Sequence, residues 1–318
     1  MRLGIDIGGT KTAVVVLADT RDGGVAGAGV GDEVTPVATA SAPSGRGGRE
    51  VVEVAARLAR EAAAAVGGLG AISSVGACTP GLVDPATGWV RHAVNLEVEA
   101  LDLAGGLEQS LRRPVRVDND VKAAALGAHR LSGRTDVRTL AYLNLGTGLA
   151  SAVVVDGVVV RGVAGVAGEI GHLPVGGDVS CPCGQVGCLE TLASGSAIAR
   201  LWPVEGRLDR DPFVAAARGD DLARSAVESL CRGVGLAVEM LAIASGAEHV
   251  VIGGGLVALG APLRAGIRAD LERRGASSSL VAGLGLPDRF ELLPASVPVA
   301  ALGAAWLHPS GPTAGEVG

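Results

Sequence analysis

The sequence predicts an α/β chain folded as two related domains, and three observations carry that prediction. First, its 318 residues are 48% hydrophobic but only 2% aromatic. That is more apolar material than one core usually holds, and the core must be built from Val, Leu, Ala and Ile. Second, short β-branched runs alternate with longer Ala-rich segments of helical period, as expected for strands packed under helices. Third, a strand-then-glycine pattern stands at matching places in the two halves, as Asp6-Ile7-Gly8-Gly9-Thr10 and Asn144-Leu145-Gly146-Thr147-Gly148. Two such halves predict a cleft between them.

The elements follow in order. Residues 3–7 and 12–18 read as a hairpin around Gly8-Gly9-Thr10-Lys11. A turn at Arg21-Asp22-Gly23-Gly24 leads to a third strand. Residues 49–66 place Val51, Val54, Leu58 and Ala62 at helical spacing and stop at Gly67-Gly68. A strand over 72–77, the loop Thr79-Pro80-Gly81, a helix over 101–111 and a strand over 115–117 complete the first half. The second half starts near Asp118, with a helix over 121–131 and a strand over 139–145. A hairpin of 151–155 with 158–161 turns at Asp156-Gly157, and residues 162–190 are a Gly/Cys-rich insertion. Helices are expected over 193–200, 211–218 and 221–245, then a strand over 250–252 ending in Gly253-Gly254-Gly255. A helix over 262–274, a strand over 290–293 and a helix over 298–307 close the fold. The Gly/Pro/Ser/Thr tail 309–318 is expected to be disordered.

Net charge is −6, with both signs mixed and no basic block, so no nucleic-acid surface is expected. The opening Met1-Arg2-Leu3-Gly4-Ile5-Asp6 carries no apolar leader, and no run reaches membrane-spanning length. Three of the five cysteines fall within eight positions, which reads as metal binding in a reducing cytoplasm.

The glycine turns admit two readings. Gly8-Gly9-Thr10-Lys11 is either an ordinary hairpin turn or an anion-binding nest, with Asp6 at the strand end suited to Mg²⁺. Gly146-Thr147-Gly148 and Gly253-Gly254-Gly255 carry the same two readings. No Gly-x4-Gly-Lys-Ser/Thr sequence is present, so a P-loop enzyme is not expected. Asp120, in Asp118-Asn119-Asp120 before a helix, is an N-cap by residue type. Its place near the domain junction also suits a general base on a substrate hydroxyl. A helix N-terminus favours the ionised carboxylate, which is compatible with a late proton transfer in phosphoryl chemistry.

The most specific signal is the stretch 168–190. His172, Cys181, Cys183 and Cys188 offer one imidazole and three thiolates, a closed tetrahedral set that suits structural zinc. The alternative, three buried free thiols, needs more apolar surroundings than these glycines and prolines supply. Glu169 and Glu190 flank the set and are surplus to it, so they are candidates for hydrogen bonds to substrate. Cys78, Cys231, Trp202 and Trp306 read as packing residues and Trp89 as partly exposed; His92, His129, His249 and His308 receive no chemistry.

From Leu3 to about Leu307 the chain resembles the ROK sugar kinases. Asp6–Lys11 resembles the family's first phosphate loop, Thr79-Pro80-Gly81-Leu82-Val83-Asp84 its Pro-Gly-x-Val-Asp loop, and Asn119-Asp120 with 123–127 its catalytic helix start. The stretch 168–190 is similar to its signature. The resemblance implies a two-domain actin-like ATPase (ribonuclease H-like) fold with a small zinc-binding insertion. The expected domains are 1–118, completed by the helix 298–308, and 119–297 with the insertion 162–190. The implied activity is ATP-dependent phosphorylation of a hexose at its 6-hydroxyl, glucokinase-like. Asp120 would be the base, and Gly81, Asn95, Asn119, Glu169, His172 and Glu190 would bind the sugar. Asp6, Gly8, Gly9, Thr10, Lys11, Thr147, Gly148 and Gly254 would surround ATP and Mg²⁺. A cytoplasmic homodimer or homotetramer is implied, with no nucleic-acid or membrane partner.

Two positions depart from the family pattern. Lys122 stands where the family has a second Asn, and would approach the cleft or face solvent. Asn95-Leu96-Glu97-Val98-Glu99 stands where glucokinase-like members read Asn-Leu-Pro-Gly-Trp. An N-acetylmannosamine or N-acetylglucosamine kinase fits the same carboxylates, and polyphosphate the same anion nests. ROK-like repressors carry an N-terminal helix-turn-helix, for which a first strand at residue 3 leaves no room. A non-catalytic sugar-binding regulator would be expected to lose Asp6 or Asp120, and both are present.

Overall fold

The structure is a computed structural model that describes residues 1–19, 34–134, 136–204 and 211–307. Its contacts divide it into two compact units. The described residues of Met1–Thr135, Arg161–Val166 and Pro298–Gly318 form the first, and those of Asp136–Val160 and Ala167–Val297 the second.

The first unit opens with β1 (Arg2–Ile7), β2 (Lys11–Leu17), β3 (Ala38–Pro43) and α1 (Gly47–Ala64). Then come β4 (Ser74–Thr79), β5 (Leu82–Val83), β6 (Trp89–Ala93), β7 (Val98–Asp102), α2 (Leu103–Leu111), β8 (Val115–Asn119) and α3 (Asp120–Ser132). Its main sheet runs β3-β2-β1-β4-β8, with β5-β6-β7 as a separate small sheet. β1 pairs antiparallel with β2 and parallel with β4, which pairs parallel with β8. Such central strands are covered on both faces, so they read as apolar runs without alternation. α1 buries Val51, Ala55, Leu58 and Ala62 and packs on β2, β3 and α2. Burying a side chain such as Leu58 contributes roughly 1.5–3 kcal/mol.

The second unit contains β9 (Thr139–Leu145), β10 (Leu149–Val155), β11 (Val158–Val160), α4 (Gly195–Leu201), α5 (Pro212–Ala217) and α6 (Asp221–Ser245). It continues through β12 (His249–Gly253), α7 (Gly260–Ser277), α8 (Ser279–Gly283) and β13 (Phe290–Leu292). Its sheet runs β11-β10-β9-β12-β13. It repeats the first sheet's connectivity, three antiparallel strands extended by two parallel ones. α6 is capped by Asp220, which accepts from Ala223 N at 2.9 Å, and ends at Gly246 in the left-handed region. The Asp220 carboxylate also accepts from Trp202 Nε1 at 2.9 Å, which satisfies the indole of a fully buried tryptophan.

The last helix, α9 (Val299–Ala305), returns to the first unit. It packs on β1, β2, β4 and α3. A Cβ on Gly4 or Gly76 would overlap the carbonyls of Ala301 or Ala304, and one on Gly303 would overlap the Ala123 carbonyl. Backbone therefore lies on backbone here, which only glycine permits.

Four expectations need correction or comment. The boundary expected at 118/119 falls after α3, because that helix packs on α9 within the first unit. The expected insertion 162–190 is divided, its start up to Val166 belonging to the first unit. The small sheet β5-β6-β7 and the short α8 went unread. The turn at 21–24 and the tail 309–318 lie outside the described residues. No helix among the described residues is long and apolar enough to cross a membrane.

Candidate active site and metal centre

In the first unit, register builds the site. Asp6 of β1 stands opposite Cys78 of β4, and Cys78 opposite Asp118 of β8. The three parallel strands end together, so the turn after β1, the Gly81 loop and the start of α3 share one edge of the sheet, the usual location of an α/β site. The turn Gly8–Lys11 closes with Gly8 N donating to Lys11 O at 3.1 Å. Ser44 fixes it, its hydroxyl donating to Gly8 O at 2.6 Å and its N to Thr10 O at 3.1 Å. The Gly8, Thr10 and Lys11 carbonyls are thereby occupied, while the Gly9 and Thr10 N–H groups have no hydrogen-bond partner among the described residues. With exposed Lys11 beside them, they form an anion-receptive turn. Asn95 lies against Gly9, where a Cβ would come 2.7 Å from Asn95 Cβ. The altered loop after it lies in the β6–β7 connection, with Glu97 in the left-handed region and paired to Arg46 at 3.0 Å.

Burial pushes the Asp6 carboxyl up to about 7, and the Asp120 charge pushes the same way. The Cys78 thiol, 3.7 Å from Asp6 Oδ1, and Lys11 oppose this. A divalent cation at Asp6 would offset that desolvation.

The N-cap of α3 is Asn119, not Asp120. Asn119 Oδ1 accepts from Val121 N at 3.0 Å and Lys122 N at 3.2 Å. Its Nδ2 donates to Gly81 O at 3.2 Å. Asp120 is the first helical residue, and its Oδ1 accepts from Val121 N at 2.9 Å. With Asn119 doing the capping, Asp120 is released from that role. Lys122 is buried, at 4% exposure, so it does not face solvent.

Two residues that sequence reasoning missed hold this corner. Asp118, almost fully buried, accepts from Asn119 N at 2.9 Å through Oδ1. Its Oδ2 takes Arg161 Nη2 at 2.6 Å and Nε at 3.2 Å. Ser44 likewise had no sequence signal beyond its place after β3.

In the second unit, Gly146-Thr147-Gly148 closes with Gly146 N donating to Gly148 O at 3.1 Å. Gly254, at φ +92, lies against the Leu145 backbone, where a side chain would collide. Gly253 stands opposite Asn144, so the two glycine turns leave adjacent strand ends. Glu169 precedes the single turn Ile170–His172, and His172 N donates to Glu169 O at 3.1 Å. Glu190 is not wholly free for substrate, because its Oε2 accepts from Leu149 N at 2.9 Å.

His172, Cys181, Cys183 and Cys188 place their ligand atoms within 4.8 Å of one another. A tetrahedral zinc with Zn–S of about 2.3 Å and Zn–N of about 2.1 Å has edges of about 3.8 Å between sulfurs and about 3.6 Å between sulfur and nitrogen. The Cys183–Cys188 sulfurs are 3.7 Å apart, and Cys181 Sγ is 3.6 Å from His172 Nδ1. The set fits zinc, with Nδ1 as ligand and Nε2 left to donate elsewhere. Around it the chain is held by backbone bonds such as Val175 N to Gly187 O at 2.8 Å and Leu189 N to Leu173 O at 3.0 Å. Val186 stays exposed, so this knuckle has little apolar core of its own.

The ROK family profile matches residues 2–309, and the chain belongs to the ROK family. It is 36% identical to the glucokinase of Halalkalibacterium halodurans over 218 residues, 62% of this chain and 66% of that one. Among solved structures, a ROK hexokinase from Thermus thermophilus superposes with TM-score 0.74 at 30% identity, covering 96% of each chain. A ROK family glucokinase from Streptomyces griseus, in complex with glucose and AMPPNP, superposes with TM-score 0.72 at 26% identity over 96% of this chain and 97% of that one. The fold is thus the actin-like ATPase fold of the ROK kinases. The chain spans no more than two thirds of the first curated relatives it matches, 66% of that glucokinase and 50% and 33% of two xylose repressors.

Proposed function

We propose that the chain is an ATP-dependent sugar kinase that phosphorylates the 6-hydroxyl of a hexose. The observation that carries this reading is the grouping, in the first unit, of the Asp6 carboxyl, the Gly8–Lys11 turn and Asp120 at the start of α3. Glucokinases among its relatives support it. Asp120 acts as general base on the 6-hydroxyl, taking the proton late as the phosphoryl group transfers. Gly81, Asn95, Asn119, Glu169 and Glu190 bind the sugar, and His172, held through Nδ1, presents Nε2 to a sugar hydroxyl. The turns at Gly8-Gly9-Thr10-Lys11, Thr147-Gly148 and Gly254 bind the nucleotide phosphates through backbone N–H groups. Mg²⁺ at Asp6, when bound, neutralises charge on the transferring group.

A coupled ADP-release assay with MgATP over glucose, mannose, fructose, N-acetylglucosamine and N-acetylmannosamine tests the proposal. Turnover on at least one sugar is expected. Asp120→Asn should cut kcat by about 10²-fold or more with sugar affinity largely kept. Turnover confined to the N-acyl sugars would place the chain among the hexosamine kinases. Silence over the panel with both ATP and polyphosphate refutes the kinase reading and favours a sugar-binding regulator.

A further inference from the structure

The second unit joins the metal centre to the 146–148 turn in a way that zinc coordination does not require. Cys188 is the N-cap of the single turn Leu189–Thr191, and Glu190 in that turn reaches back to Leu149 N at 2.9 Å. A Cβ on Gly148 would overlap Glu190 Oε2, so the carboxylate reaches the strand only because residue 148 has no side chain. The chain continuing from Glu190 grips the same turn from its other side. Gly195 N donates to Gly146 O at 2.8 Å and Ser196 N to Thr147 O at 3.1 Å. Thr191 Oγ1 donates to Cys188 O at 2.7 Å, and Arg200 Nη2 to Thr191 O at 2.8 Å. The carbonyls of Gly146 and Thr147 and the exit N–H of Leu149 are all occupied. The Thr147 and Gly148 N–H groups have no hydrogen-bond partner among the described residues.

We propose that Glu190 is a positioning residue for the nucleotide-phosphate turn, and that the zinc knuckle, through residues 188–196, sets the nucleotide affinity. This rests on the reading above that the 146–148 turn binds nucleotide. A side chain there needs only to accept from Leu149 N; its negative charge is unhelpful beside a phosphate. An amide oxygen can also accept that bond.

The test is MgADP binding by calorimetry, without sugar, to the zinc-loaded wild type, Glu190→Gln and Glu190→Ala. Glu190→Ala should weaken MgADP binding about tenfold, the equivalent of one hydrogen bond. Glu190→Gln should bind as tightly as wild type or tighter. Hydrogen exchange over residues 146–150, relative to that of the core helix α6 which reports global stability, should quicken in Glu190→Ala and not in Glu190→Gln. Equal MgADP affinity in all three proteins overturns the proposal, and so does an equal loss in both variants. A wild type that does not bind MgADP sinks the underlying kinase reading instead.

Discussion

Replacing Asp6 by Asn should stabilise the protein, and by an amount that depends on pH. The Asp6 carboxyl titrates at about 7 in the folded chain against an ordinary 3.8, chiefly because it is buried and secondly because Asp120 is near. An unfolded chain ionises this group above pH 3.8, whereas the folded chain keeps the proton until about 7. Between those values the folded state binds more protons, so stability falls as pH rises and levels off above 7. The gap of about 3 pH units, at 1.36 kcal/mol each, gives an upper bound of about 4 kcal/mol. Asp6 keeps some exposure to solvent, so half of that, about 2 kcal/mol, is the safer figure. It would raise Tm by about 4–8 °C in a domain of this size. The assay is thermal unfolding by circular dichroism from pH 4 to pH 8.5 without added Mg²⁺. The gain of Asp6→Asn over wild type should be near zero at pH 4 and largest above pH 7.5. The variant should also lose the further stabilisation that MgADP gives wild type. A gain independent of pH, or a loss at pH 8, refutes the assignment of that cost to the buried carboxyl.

Arg161→Ala leaves the buried Asp118 carboxylate with the Asn119 N–H as its one remaining hydrogen-bond donor among the described residues. The expected destabilisation in urea is about 2–3 kcal/mol, below the value for a fully buried pair because Arg161 is one-third exposed. Asp118→Asn added to Arg161→Ala should recover part of it, and additive losses would refute the pairing. Gly303→Ala drives a methyl group into the Ala123 carbonyl. It should cost about 3 kcal/mol and lower soluble yield, with an unchanged Tm as the contrary result. Cys183 is exposed, so Cys183→Ser removes a ligand with little loss of packing. Bound zinc should fall from about one per chain towards none by atomic absorption. Retention of one equivalent after dialysis against a chelator would exclude Cys183 as a ligand.

Local chemistry was legible in the sequence, and long-range pairing was not. The four candidate zinc ligands lie within 172–188, and their residue types alone suit that metal. α6 runs over Asp221–Ser245, as its sequence predicts, because an aspartate cap at 220 and a left-handed glycine at 246 are single-residue signals. β5–β7 escape notice because β5 has two residues and the alternation of β6 breaks at His92, whose φ is +54. The domain boundary was misplaced because nothing near α3 announces a partner as distant as α9. The only trace is a pair of glycines, Gly127 and Gly303, where a Cβ at either would meet the other helix's backbone.

The same limit applies within the site. Asp6, Asp120 and Glu190 are expected at the site from residue type and resemblance, but the contacts around them are not legible in the sequence. Asp118 and Arg161 are separated by 43 residues, and Leu149 and Glu190 by 41. Neither spacing corresponds to a helical or strand period, so periodicity cannot reveal either pair. Gly148 illustrates what remains readable. The resemblance implies a place for it beside the nucleotide, where glycine lets phosphate approach backbone, yet in the structure its missing side chain also leaves room for the Glu190 carboxylate. A glycine beside a site is therefore evidence of close approach without saying by what. Substituting Glu190 while leaving Gly148 intact removes the carboxylate but keeps the space at residue 148, so a change in MgADP affinity then reports the carboxylate and not the glycine.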